Sequence, residues 1–308
     1  MDKISQVIQR KRKFAVFPMV CADHCARLLN MNFPEVINDG NKLAQVLEYG
    51  LKTYQYDMVL VFTDPYVEAQ ALGCPIAFPS FFGNPILLGP QSNSPNVGCD
   101  RTSVIIQAAQ LLKQRVAVPV FVSIKGPFSL ASFLTGIQNF LKGLPKKDKR
   151  IQKAIAQALE FQLDYLARLL KIGVNIFIGD PMASASVISP KIFQRFAFQP
   201  LKVLINKIKS EKRIVGLHIC GNTKPIISIL DELGADILSI EDITPKTNTL
   251  KMGGVATDTI LTNNKTKLIE EVKRALSEPY LILATACDVP METDSQNIKL
   301  MMEIARSI

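Results

Sequence analysis

His218 and Cys220 close the apolar run IVGLHI in the stretch RIVGLHICGN, with a single residue between them. Side chains alternate across a strand, so residues i and i+2 share a face. An imidazole and a thiolate on one face are ready ligands for a borderline-soft metal such as zinc. Two ligands do not hold a metal, so the ends of other apolar runs must supply more. Glu241 follows DILSI and Cys287 follows YLILATA. His218, Cys220, Glu241 and Cys287 together would make a tetrahedral zinc site of N, S, O and S donors. A substrate thiol entering such a site would lose its proton well below the free value of about 8.5 and become a nucleophile near neutral pH. Taken singly, the cysteines read as buried small hydrophobes and His218 as a satisfied core histidine. Their joint place on three strand ends argues for the metal.

Those strand ends converge only in particular folds. Short β-rich runs occur at 14–20, 57–63, 118–124, 174–179, 214–219, 236–240, 252–256 and 280–286. Segments with helical spacing lie between most of them, at 42–54, 153–171, 190–208, 224–233, 265–276 and 294–306. Ser189 before Pro190 marks one helix start, and Gly173 and Gly234 follow helix ends. Strands that alternate with helices imply a parallel sheet with right-handed crossovers. A count of eight favours an α/β fold of the (β/α)8 TIM-barrel type over a doubly wound open sheet. The seventh run, KMGGVAT, is the weakest. Residues 65–117 form a long excursion in which CPIAFPSFFGNPILLGP reads as a hairpin inserted after strand 2 and laid beside the barrel mouth. No repeat or linker divides the chain, so residues 1–308 are expected to form a single domain.

In a (β/α)8 barrel the C-terminal strand ends face one mouth, where catalysis is found. The remaining ends carry Cys21, Asp23, His24 and Cys25, then Asp64, then Lys125 with Gly126, then Asp180, with Thr257 and Asp258 after the seventh strand. Cys21-x-x-His24-Cys25 matches no standard ligand spacing, and His24 is expected to line the mouth as part of a substrate wall. Lys125 and Gly126 are candidates for cofactor binding, and Lys125 for holding an anionic acceptor. Cys74 and Cys99 lie in the excursion and read as structural.

Composition limits the partners. The chain has 308 residues, 48% of them hydrophobic, enough for a large core, and no apolar run reaches the roughly 18–20 residues of a membrane span. The start, MDKISQVIQRKRKFAVF, lacks the features of a signal peptide. A cytoplasmic protein is the expectation, with its six cysteines reduced. The net charge of +9 is concentrated in clusters such as Arg10–Lys13 and Lys146–Arg150. These could steer an acidic partner or be solvated faces. Aromatics do not interleave with them, so a nucleic-acid partner is not expected.

The stretches YDMVLVFTDPYVEAQALG, KGPFSLASFLTG, GDPMASASVISPKIFQRFAFQP, LHICGNTKPIISILDELGADILSIED and ACDVPMETDSQNIKLMMEIAR span roughly residues 56–306. Through them the chain resembles the uroporphyrinogen decarboxylase superfamily, and within it the corrinoid-dependent methyltransferases. The resemblance implies a zinc enzyme that moves a methyl group from a methylcorrinoid, carried by a partner corrinoid protein, to a thiol such as coenzyme M. The alternative it leaves open is a related methyltransferase with tetrahydrofolate or homocysteine as acceptor. By the same resemblance His218, Cys220 and Cys287 would be zinc ligands and Glu241 the carboxylate ligand. Asp64 and Asp180 fall on family motifs at the second and fourth strand ends and, with His24, are the candidate catalytic groups. A uroporphyrinogen decarboxylase-like activity fits less well. Only Arg27 lies where an arginine-rich motif is expected, Phe133 replaces a tyrosine and Cys287 a histidine. Ala286 and Gly254 depart from the glycine and asparagine common at their positions in the methyltransferases.

Overall fold

The computed structural model describes residues 1–78, 81–92, 100–262 and 264–307. Ten strands follow in chain order: β1 (Phe14–Val16), β2 (Val59–Val61), β3 (Ile76–Ala77), β4 (Ile86–Leu87), β5 (Val120–Lys125), β6 (Asn175–Gly179), β7 (Val215–His218), β8 (Ile237–Ser239), β9 (Leu250–Val255) and β10 (Leu281–Thr285). Eight of them form one sheet in the order β1-β10-β9-β8-β7-β6-β5-β2, with every pairing parallel. Parallel strands covered by helices are buried on both faces, which explains their near-continuous Val, Ile, Leu and Phe. The expected antiparallel hairpin is the pair β3–β4.

At the seam between the two end strands, Asp57 closes the barrel. Its backbone N–H donates to the Val16 carbonyl at 2.8 Å. Its carboxylate accepts from the Val16 N–H at 2.7 Å and from Lys3 Nζ at 2.7 Å. One aspartate thus stands in for a ladder and fastens the N-terminal helix Lys3–Ile8 to it.

All eight barrel strands fall where the sequence places them, with altered bounds at several. The first is shorter than 14–20: the Phe17 N–H still reaches the Leu283 carbonyl at 2.9 Å, and Pro18 then has no N–H to continue. The seventh, expected to be weak, is a full strand, Leu250–Val255, paired on both sides. The segment 190–208 is not one uniform helix. An α turn at Pro190–Ile192 widens into π geometry over Phe193–Ala197 before the helix Phe198–Ser210. Pro200 explains this, since it cannot donate to the Phe196 carbonyl and its ring crowds that carbonyl. The caps behave as expected, with Ser189 accepting from the Ile192 N–H and Gly173 and Gly234 left-handed at φ 79° and 77°.

Candidate active site at the barrel mouth

The register lines up chemistry across strands. Lys125 pairs with Gly179, Gly179 with His218, and His218 with Ser239. These residues sit in one row at the C-terminal rim of β5 to β8. Above them lies a cavity of about 310 Å³ whose walls include Asp23, Asp64, Lys125, His218, Cys220 and Cys287.

His218, Cys220 and Cys287 come together. Their donor atoms all lie within 4.8 Å of one another, with His218 Nε2 2.9 Å from Cys220 Sγ and 3.8 Å from Cys287 Sγ. Bonds of about 2.0–2.3 Å put the donors of a tetrahedral zinc ion roughly 3.5–3.8 Å apart, so the three residues fit such an ion with small adjustments. The His218 ring is already aimed. Ser239 Oγ holds Nδ1 at 3.0 Å, leaving Nε2 to the sulfurs, and Phe177 stacks on the ring at 6.4 Å between centroids. A hydrogen bond on the far nitrogen is the usual support for a metal-binding imidazole. Cys287 Sγ donates to Asp288 Oδ1 at 2.8 Å. The interaction between the two sulfurs lowers the Cys220 pKa and raises that of Cys287, and burial raises the latter further.

Glu241 stands beside this group and outside the triad. It is exposed, and its carboxylate accepts from the Gly221 N–H, the residue after Cys220. Gly221 turns the chain there with φ 71°, and a Cβ would press on the Ser186 hydroxyl.

Asp64 faces the cavity as a paired carboxylate. Arg101 contacts both of its oxygens, Thr63 Oγ1 donates to it at 2.9 Å and the Tyr66 N–H at 3.0 Å. Asp180 is fully buried behind Gly126, where a side chain would overlap its carboxyl group. Its Oδ1 accepts from the Ser129 N–H at 2.7 Å and from Ser129 Oγ at 2.5 Å, while Oδ2 has no hydrogen-bond partner. Burial raises its pKa to about 6 against the pull of those bonds. Gly126, expected to take part in cofactor binding, makes room for Asp180 and is not among the residues lining this cavity.

His24 is also placed differently from expectation. Residues Ala22–Leu28 form a helix, not a loop, so neighbouring side chains diverge by about 100°. Asp23 faces the cavity, where burial and the Asp288 carboxylate raise its pKa to about 7. His24 points into the protein, with Nε2 2.8 Å from the Tyr54 hydroxyl. Burial lowers its pKa from 6.5 to about 4. Between those values the unfolded chain binds more protons than the folded one, so the stability His24 confers is complete above pH 6.5 and is lost as pH falls toward 4. We predict that His24→Gln flattens this dependence. The wild type should lose on the order of 3 kcal/mol more than the variant between pH 7 and pH 4 in denaturant titrations. Parallel pH profiles would exclude this role.

Ser239, Arg101 and Ser129 support the site without any motif to announce them. Cys74 is buried, with Sγ 3.8 Å from the Phe133 carbonyl, and Cys99 lies outside the described residues. Among the described residues no helix is long and apolar enough to cross a membrane.

Fold and site define a parallel α/β barrel with a thiol-and-imidazole donor group at its mouth. The sequence model of the uroporphyrinogen decarboxylase (URO-D) family matches residues 8–308, and the chain belongs to that family. It is 25% identical to methylcobamide:CoM methyltransferase MtbA of Methanosarcina mazei over 97% of this chain and 95% of that protein. It is 22% identical to a uroporphyrinogen decarboxylase of a Wolbachia from Brugia malayi, over 90% of this chain and 84% of that one. A solved methyltransferase structure from Methanosarcina mazei superposes with a TM-score of 0.87 at 22% identity, covering 99% of this chain and 98% of the other. That likeness establishes the (β/α)8 fold.

Proposed function

We propose that the protein is a corrinoid-dependent methyltransferase that transfers a methyl group from a methylcorrinoid, presented by a partner protein, to a small thiol such as coenzyme M. The observation that carries this reading is the triad of His218, Cys220 and Cys287 in the cavity wall. The methyltransferase names of relatives that span nearly the whole chain support it. His218, Cys220 and Cys287 would hold zinc, with Glu241 as an exchangeable fourth ligand. Zinc bound there supplies a Lewis acid that favours the thiolate of an acceptor at neutral pH.

The chain's own residues set the geometry. Ser239 orients the His218 ring through its hydrogen bond with Nδ1. Glu241 is held by the N–H of Gly221, the residue after Cys220, and would be the carboxylate of the proposed ligand set. Asp64 and Asp180 are locked by Arg101 and Ser129, which suits positioning and electrostatic roles. In this reading the corrinoid would approach the open end of the barrel, and the acceptor sulfur would bond to the methyl carbon while the electron pair of the broken cobalt–carbon bond stays with cobalt. A decarboxylase reading receives no comparable support, because Arg27 stacks over Phe82 at 5.8 Å and does not line the cavity.

The test is metal analysis of protein purified without added zinc, followed by methylcobalamin demethylation against a panel of thiols and tetrahydrofolate. About one zinc per chain and thiol-dependent demethylation are expected. Metal-free native protein, or zinc-loaded protein that demethylates with no acceptor, would defeat the proposal.

A further inference from the structure

Lys125 is 7% exposed, yet its ammonium makes no hydrogen bond and no ion pair among the described residues. A buried charge without a partner is costly and is ordinarily paired. The rest of the residue is tightly held. Its N–H donates to Glu68 Oε1 at 2.6 Å and its carbonyl accepts from Gln162 Nε2. Of the nearby carboxylates, Glu68 binds the Lys125 backbone and Asp180 accepts from Ser129 through Oδ1; Asp180 Oδ2 has no hydrogen-bond partner and feels the Lys125 charge, but the two form no ion pair. The Phe62 ring lies under the ammonium, at 5.9 Å, and a ring face is a weak substitute for an anion.

The ammonium is aimed at open space. Lys125 lines the cavity, and its Nζ leans over Gly179, about 3.9 Å from where a side chain would begin. Gly179 leaves that space free. In register it is the single residue between Lys125 and His218. Adjacent strands are about 4.8 Å apart, so the backbones of Lys125 and His218 stand roughly 10 Å apart. With both side chains reaching inward, the gap from ammonium to donor triad suits a molecule with a sulfur at one end and an anion two or three carbons away.

We infer that Lys125 is the specificity-determining residue of this site: it binds the anionic end, sulfonate or carboxylate, of a short acceptor whose thiol lies at the His218–Cys220–Cys287 group. The inference rests on the proposed methyl transfer for the identity of the thiol end, but the anion subsite itself does not. Sulfonate and carboxylate share the needed chemistry, an oxyanion able to accept two or three hydrogen bonds from an ammonium.

The experiment separates the two. Binding of propane-1-sulfonate, which has no thiol, is measured calorimetrically on the zinc-loaded protein and on its Lys125→Met and Lys125→Arg variants. Demethylation is then compared for 2-mercaptoethanesulfonate, 3-mercaptopropionate and neutral 2-mercaptoethanol. Lys125→Met should weaken propane-1-sulfonate by about 10- to 100-fold, the range for a lost charged hydrogen bond, and Lys125→Arg should weaken it less. The kcat/KM preference for anionic over neutral thiols should fall by a similar factor, mainly through KM. Because the lysine lacks an internal partner, Lys125→Met should melt no lower than wild type. A purely structural lysine would instead lower the Tm and leave the anion preference intact. Equal propane-1-sulfonate binding by wild type and Lys125→Met overturns the inference even if methyl transfer proceeds. Lys125-dependent binding in a protein that demethylates with no thiol upholds the subsite and overturns the methyl-transfer reading.

Discussion

The Cys287→Ser protein is expected to purify with well under 0.1 zinc per chain and to lose methyl transfer by more than about 100-fold. Supporting partners outside a metal's own ligand set are worth about 10- to 100-fold, and losing a ligand should exceed that. Serine keeps the shape but not the donor, since its hydroxyl does not ionise near neutral pH. The fold should survive. Cys287 is only partly buried, and the turn that carries it is held by Thr285, whose hydroxyl donates to the Pro18 carbonyl at 2.8 Å or the Cys287 carbonyl at 2.6 Å. Circular dichroism and melting of the metal-free forms should match wild type, so lost activity will report on the site. Ser239→Ala gives the graded comparison. It leaves all three donors and removes the hydroxyl on His218 Nδ1, so zinc affinity should drop by about 10- to 100-fold without disappearing. If Cys287→Ser retains full zinc, the donor group assigned at the mouth is wrong. Full affinity in Ser239→Ala would show that the ring needs no such support.

The residues that the sequence exposes and those it hides differ in how they are specified. The eight strands are legible because parallel strands in a covered barrel are apolar without interruption, and the helices between them keep a different period. His218, Cys220 and Cys287 are legible because polar, metal-binding types directly after apolar runs fall on one rim. Asp23 and His24 show the limit. Adjacent in sequence, they diverge once Ala22–Leu28 is helical, and only the helix phase decides that the carboxylate faces the cavity while the imidazole meets Tyr54. Gly126 shows another: its position invites a ligand-binding reading, yet its missing side chain serves the Asp180 carboxyl. Ser239 and Arg101 act across 21 and 37 residues of sequence, and no local pattern encodes such pairs.

Arg101→Met should destabilise the protein by about 3–5 kcal/mol, the range for removing one partner of a buried ion pair. Arg101 is 2% exposed and Asp64 4%, so the carboxylate left behind cannot recover its hydration. The arginine also joins three parts of the barrel mouth. It contacts both Asp64 oxygens beyond the end of β2, donates through Nε to Gln70 at 2.5 Å, and lies 5.2 Å from the Phe78 ring beside the hairpin. Arg101→Lys should recover little, because an ammonium cannot match a carboxylate at two points or stack as a planar group. Asp64→Asn combined with Arg101→Met should be less damaging than the sum of the single changes, because neither charge is then stranded. Denaturant melts of the four proteins give the coupling directly. A single-variant cost below 1 kcal/mol, or strict additivity, would show that the pair is not a structural unit. The cycle also bears on chemistry. Arg101 holds both oxygens of Asp64 at the cavity wall and so fixes the side chain's orientation. The expected contribution of Asp64 is therefore to orientation, so that Asp64→Asn should raise KM by a larger factor than it lowers kcat.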